Sequence, residues 1–151
     1  MNEKIFVSKK QFQRLLRTNI DFEESLPKLV YEYLPGDSLK QREFKASFQS
    51  YLQFFDQLLP RVVVDDSHAE QLFPCVVLGA LTTIQDLDNQ TISEYRLIAP
   101  FEKNIAPEDI SILSPLGGAL LLKRIHDDVA IAAPGGHFRY RVVAIKLPVC
   151  D

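Results

Sequence analysis

Apolar side chains in the first sixty residues recur at the spacing of an α-helix. Residues 8–11, Ser-Lys-Lys-Gln, have the form of a capping box, in which serine and glutamine side chains satisfy free backbone N–H groups at a helix start. The face that follows comprises Phe12, Leu15, Leu16 and then Asn19. Pro27 fits best near a helix start, so we expect Ser25 to cap a new helix there. Its apolar face would comprise Leu29, Val30 and Tyr33.

A turn at residues 35–38, Pro-Gly-Asp-Ser, separates this segment from a second helix. Ser38 and Gln41 form another capping box, and a helix from Leu39 to Leu59 would be roughly 30 Å long. Its stripe, at steps of three and four, comprises Phe44, Phe48, Tyr51, Leu52, Phe55 and Leu59. Pro60 ends the helix. Residues 1–60 therefore read as an antiparallel helical hairpin whose stripe is core or interface, not a ligand site.

The second half of the chain has the alternation and turn signals of strands. Residues 61–74 are predicted to be a link, extended at 61–66 and turn-like at 65–68. Strands are predicted at 76–84, 91–98, 110–113, 129–132 and 138–147, with turns at 86–90 and at Pro-Gly-Gly 134–136. Ser114 followed by Pro115 is a strong helix-start signal. The prediction is an α+β fold: a helical hairpin, then a twisted antiparallel sheet packed by one short helix.

Composition and spacing exclude several classes of function. A net charge of −3 argues against strong independent binding of nucleic acid. The longest apolar runs are too short to span a membrane, and Cys75 and Cys150 are expected to be free thiols in a cytoplasmic protein. The three histidines show no metal-ligand spacing, so no metal and no cofactor are expected. Ser114 lacks the glycines of a nucleophile elbow, which argues against hydrolysis.

The order of Ser114-Pro115, Ala119-Leu120-Leu121 and Pro134-Gly135-Gly136 resembles the C-terminal domain of the GreA/GreB family of bacterial transcription elongation factors. The resemblance runs from about Cys75 to Pro148. It implies a hairpin arm at 1–60, a link at 61–74 and an FKBP-like domain at 75–151. It also implies RNA polymerase as the partner. The short hairpin is similar to that of the Rnk-like members of the family.

The same resemblance implies roles for particular residues. In the family, a Gly-Asp and a nearby Glu at the hairpin tip help to hold Mg²⁺ in the polymerase active site. Gly36 and Asp37 match the first two residues, Gln41 stands at the position of the glutamate, and Glu43 lies close by. The tip would therefore comprise Gly36, Asp37, Ser38 and Gln41. The implied docking contact comprises Ser114 and Pro115, with Leu113 where some members have an acid.

Three functions follow as alternatives. The favoured one is a regulator that binds polymerase at its secondary channel and has no enzyme activity, because the tip offers an amide where the motif has a second carboxylate. The second is an active cleavage factor that uses Asp37 and Glu43. The third is a prolyl isomerase, which the FKBP-like topology suggests but the absence of Trp and the dispersed aromatic residues disfavour. A monomer is favoured over a homodimer.

Overall fold

Two long helices form the first half of the structure, a computed structural model that describes residues 3–33, 38–68, 71–100, 102 and 105–148. Helix α1 spans Lys9–Tyr33, helix α2 spans Ser38–Leu58, and a 3-10 turn at Leu59–Arg61 follows. The first capping box is confirmed. Ser8 Oγ accepts from the Gln11 N–H at 3.1 Å, and Gln11 Oε1 accepts from the Ser8 N–H at 2.8 Å. The predicted turn at 35–38 lies outside the described residues except for Ser38, the first residue of α2.

The predicted break in the first helix is wrong, because α1 continues through Pro27 without interruption. Proline inside a helix removes one backbone hydrogen bond and costs about 3 kcal/mol. The buried face of α1 continues on both sides of it, through Phe22, Leu26 and Leu29. Pro27 itself is exposed, so water can solvate the freed carbonyl. Tertiary packing of the apolar face therefore outweighs the local preference for a new start at Ser25.

A small parallel sheet at the base of the hairpin was not predicted. Strand β1 (Ile5–Val7) pairs in parallel with β2 (Val62–Val64), and Ile5 lies opposite Val62. The Lys9 N–H also donates to Asp66 Oδ1 at 2.9 Å. The extended part of the predicted link is therefore a paired strand that fastens the chain leaving α2 to the chain entering α1.

The second half forms a five-stranded sheet with the order β5-β4-β3-β7-β6. The strands are β3 (Leu81–Asp86), β4 (Ile92–Ile98), β5 (Asp109–Ser111), β6 (Asp128–Ala133) and β7 (Gly136–Lys146). All neighbours are antiparallel except β4 and β5, which are parallel. The strand predicted at 76–84 begins only at Leu81. Residues 76–78 are buried but irregular, and Gly79 takes a φ of +88°, which an L residue rarely adopts.

Helix α3 (Pro115–Leu120) contacts both β5 and β6, which are the two edge strands of the sheet. The sheet is therefore curled, and the helix closes the gap between its edges. Gly117 permits this approach, because a Cβ at that position would lie 2.0 Å from the Ser111 carbonyl oxygen. This confirms the α+β fold class, with a parallel β4–β5 pair in the larger sheet that the sequence did not indicate.

One hydrophobic core joins the hairpin to the sheet. Phe22 of α1 makes edge-on contacts with Phe48 and Tyr51 of α2, at centroid distances of 5.3 and 5.9 Å. These rings belong to the same buried cluster as Ile84 and Val142 of the sheet. The predicted aromatic stripe is therefore confirmed as core.

Two hydrogen bonds reinforce this joint. The buried Leu78 N–H donates to the Tyr51 hydroxyl at 2.9 Å, and Gln11 Nε2 donates to the Leu147 carbonyl at 3.2 Å. The first bond comes from α2 and the second from α1, so both helices are tied to the C-terminal half.

Candidate functional site

The predicted docking residues lie at the turn between β5 and α3. Ser114 is the N-cap of α3: its Oγ accepts from the Gly117 N–H at 3.0 Å and donates to the Ser111 carbonyl at 2.7 Å. Both hydrogen-bonding functions of this hydroxyl are used inside the chain. Pro115, at the first helical position, is exposed. The structure therefore assigns Ser114 to holding the turn and leaves Pro115 as the side chain open to a partner.

Leu113 and the residues beside it fix the shape of this turn. Leu113 is half-buried and packs against the core, and its N–H donates to Ser111 Oγ at 3.0 Å. The Ser114 N–H donates to the Ser111 carbonyl at 3.0 Å. Ser111 thus serves as acceptor for successive residues of the turn, a role that the sequence did not indicate. The sequence signal for this role is the position of Ser111 three residues before the N-cap serine, Ser114.

An ion pair holds β5 in place immediately before the turn. Arg96 Nε and Nη2 donate to the two Asp109 carboxylate oxygens at 2.8 and 2.7 Å, and the Ala106 N–H donates to the same carboxylate at 2.8 Å. The hydrogen bonds from Arg96 lower the pKa of Asp109, and those to Asp109 raise the pKa of Arg96. Both groups therefore stay charged at neutral pH.

The two parts of the predicted hairpin tip differ in what the structure shows. Gly36 and Asp37 lie outside the described residues. Gln41 is half-buried in the second turn of α2, whereas Glu43 is exposed. Glu43 lines a cleft of about 240 Å³ together with Ile112, which follows β5, and Gly118 of α3. Glu43 therefore lies beside the C-terminal half of the chain, although it is close to the start of α2 at the hairpin turn.

The described part of the chain shows two further absences. It contains no group of three or more His, Cys, Asp or Glu side chains placed to hold a metal ion. None of its helices is both long enough and apolar enough to cross a membrane. Cys75 is buried, and burial raises the pKa of its thiol to about 11, so this thiol is protonated at neutral pH.

The structure combines a helical hairpin, a curled sheet on which it packs, and a Ser-Pro-capped helix that closes the sheet. Known proteins share this combination. The family described as "Transcription elongation factor, GreA/GreB, C-term" matches residues 71–147, about half of the chain. A solved structure described as "Prokaryotic transcription elongation factor GreA/GreB from Nitrosomonas europaea" has the same fold. It aligns with a TM-score of 0.56 and 22% identity over 95% of this chain and 99% of that one.

Curated relatives extend the comparison. "Transcription elongation factor GreA" of Syntrophus aciditrophicus is 40% identical over 72 residues, 48% of this chain and 45% of that protein. The factor of the same name from Halorhodospira halophila is 29% identical over 105 residues, 70% of this chain and 66% of that protein. These two alignments cover less than two thirds of the relatives' length. The factor from Thermotoga neapolitana is 27% identical over 95% of this chain and 97% of its own.

The chain belongs to the GreA/GreB family of transcription elongation factors. The family assignment made from the Ser-Pro and Pro-Gly-Gly motifs is thereby confirmed. The closer likeness to the short-armed Rnk-like members stays a prediction, as do the roles of the docking and tip residues.

Proposed function

We propose that this protein binds RNA polymerase at its secondary channel and regulates elongation without strong transcript cleavage. The observation that carries the proposal is the match of residues 71–147 to the family's C-terminal domain. Within that domain the β5–α3 turn is rigidly built and presents Pro115 to solvent. A preformed, exposed turn favours docking, because little conformational freedom is lost when it binds.

The protein acts in this proposal as a binding partner and not as an enzyme. Its arm lies against the C-terminal half over much of its length: Tyr51 of α2 bonds to Leu78, and Glu43 lines a cleft with Gly118. Glu43 is the sixth residue of α2, so at 1.5 Å per residue it lies only about 8 Å along the helix from Ser38. Little of α2 therefore extends past α3, which favours a role outside the polymerase catalytic centre.

Binding is tested by capture of purified core polymerase on the immobilised protein. Pro115→Ala is expected to reduce capture at least tenfold, because truncation of a central anchor residue costs about 2 kcal/mol or more and a tenfold change corresponds to about 1.4 kcal/mol. Pro134→Ala, an exposed proline at the β6–β7 turn, is the matched control and should bind as the unchanged protein does. Equal capture by both variants would show that the contact lies elsewhere. Ser114 is unsuitable for this test, because its substitution would also remove the helix cap.

Transcript cleavage is the second candidate function, favoured by the Gly36-Asp37 sequence and by the exposure of Glu43. Backtracked elongation complexes incubated with the protein are expected to release no more 3′ RNA than complexes in buffer. Rapid release that disappears in Asp37→Ala would replace our proposal with that of a cleavage factor.

Prolyl isomerase activity has less support. Phe73 is buried in the core, and Phe138 stacks on Tyr140 at a centroid distance of 6.5 Å. These aromatic side chains therefore do not surround a common pocket.

A further inference from the structure

The side of α1 that faces away from the core takes no part in the function proposed above. At roughly 100° per residue, Ile20 lies about 160° around the helix from the buried Phe22, and it is 50% exposed. Leu16, one turn earlier on the same side, is half-buried. Both residues line a shallow groove along the helix. Apolar surface is therefore open to a partner near the middle of a helix about 37 Å long.

Charge is segregated along α1. Residues 9–20 contain four basic and no acidic side chains, a charge of +4, whereas residues 21–33 contain four acidic and one basic side chain, a charge of −3. Without Arg14, which already has a partner within the chain, the first half still carries +3. A helix dipole favours the opposite arrangement, with acidic residues in the first turn and basic residues in the last, and α1 has neither. Helix α2 compensates the basic half only weakly, since Asp56 is its only acidic residue after Glu43. The gradient therefore does not serve the stability of α1 itself, but it suits a second, antiparallel α1.

Exposed residues at intervals of seven form one row beside Ile20, because seven residues make nearly two complete turns. The row comprises Lys10, Arg17, Glu24 and Tyr31. It is complementary to itself in reverse about a point between residues 20 and 21. An antiparallel copy places Arg17 opposite the partner's Glu24, and Lys10 opposite the ring of the partner's Tyr31, which is 79% exposed. In the described part of the chain neither Arg17 nor Glu24 forms an ion pair, so both are available. A parallel copy would instead bring like charges together.

We propose that this face of α1 binds a second copy of the chain in an antiparallel, two-fold symmetric dimer. Such an interface is isologous, so every contact occurs twice. Ile20 of both copies lies at the two-fold axis, with Leu16 one turn away and the two Arg17–Glu24 pairs beside them. A contact between single helices buries less surface than a standard interface of about 1,600 Å², so the dimer is weak and dissociates on dilution. The monomer expected from the sequence is therefore the form that predominates at low concentration.

The test is sedimentation velocity of the full chain at concentrations from about 5 to 500 μM. The unchanged protein is expected to shift from monomer to dimer over this range. Arg17→Glu and Glu24→Arg should each raise the dissociation constant of the dimer at least tenfold, because like charges then meet twice in every dimer. Lys45→Glu, which changes the charge as Arg17→Glu does but on the exposed face of α2, should associate as the unchanged protein does.

A mixture of the two single variants separates a lost contact from a lost fold. The Arg17→Glu copy has carboxylates where the Glu24→Arg copy has guanidinium groups, so opposite charges meet at both pairs of a mixed dimer. The mixture is therefore expected to associate, although neither variant associates well with itself. The double variant Arg17→Glu/Glu24→Arg should regain self-association, because its charges are exchanged but remain complementary.

Three results would overturn the proposal: a monomer at every concentration, a dimer that both single variants leave unchanged, or a mixture of the two variants that stays monomeric. Binding of single-stranded RNA without self-association would also overturn it and would assign the basic half of α1 to a nucleic acid. The inference does not rest on polymerase binding, since the assay contains no polymerase, and the capture experiment with Pro115→Ala tests that function separately.

Discussion

The hydroxyl of Tyr51 is a single polar contact at the centre of the joint between hairpin and sheet. Tyr51 is 1% exposed, and its oxygen accepts from the buried Leu78 N–H at 2.9 Å. Tyr51→Phe keeps the ring and its edge contact with Phe22 but leaves that N–H unpaired. An unpaired buried donor costs about 1–3 kcal/mol. For a chain of this length, about 2 kcal/mol lowers the melting temperature by roughly 4–8 °C.

Differential scanning calorimetry provides the measurement, and Tyr31→Phe provides the matched control. Tyr31 lies on the same hairpin but is 79% exposed, so its hydroxyl is satisfied by water in both variants. Its loss should change the free energy of unfolding by no more than about 0.5 kcal/mol. A melting temperature of Tyr51→Phe within about 1 °C of that of the unchanged protein would correspond to less than about 0.5 kcal/mol. The hydrogen bond from Leu78 to Tyr51 would then not hold the two halves together.

Two further changes test the structure. Gly117→Ala places a Cβ 2.0 Å from the Ser111 carbonyl oxygen and is expected to destabilise the protein by about 1–3 kcal/mol or more. Gly135→Ala is the control, because its Cβ meets only ordinary contacts at 3.5 Å. Equal urea midpoints of unfolding for the two variants would contradict this packing of α3. Burial raises the pKa of Cys75 from 9.0 to about 11. Above pH 9 the unfolded chain therefore loses a proton that the folded chain keeps, and stability should fall by about 1 kcal/mol by pH 10. Cys75→Ala should flatten this decline in urea titrations, and an unchanged slope would rule out the thiol as its source.

Features specified by neighbouring residues could be predicted from the sequence. The Ser8–Gln11 capping box, the Ser114 cap and the aromatic stripe of α2 each depend on positions three or four apart. The β1–β2 pair depends on two three-residue strands separated by more than fifty positions, which leave no local period. The apolar run at residues 76–78 predicts a strand, because continuous burial gives the same run in a strand and in an irregular segment.

The candidate sites divide in the same way. The Ser-Pro turn could be found from its motif, but the internal use of the Ser114 hydroxyl depends on Ser111 and Gly117, which the fold brings to it. Arg14 and Arg17 of α1 line a cleft together with Arg96, about eighty positions away. Only the i, i+3 spacing of Arg14 and Arg17 was visible in the sequence, and on a helix that spacing usually marks a solvated face.

Because α3 spans from one edge of the curled sheet to the other, it also opposes self-association of the protein through exposed strand edges. Strand β6 carries exposed alanines at 130 and 132 and contains neither lysine nor proline, which are residues that commonly blunt an open strand. Undocking of α3 would present this backbone as a template for a strand from another chain. The six-residue helix α3, which carries the proposed docking proline, thus also covers the open edge of the sheet. Evolution of the docking surface is therefore constrained by solubility as well as by affinity.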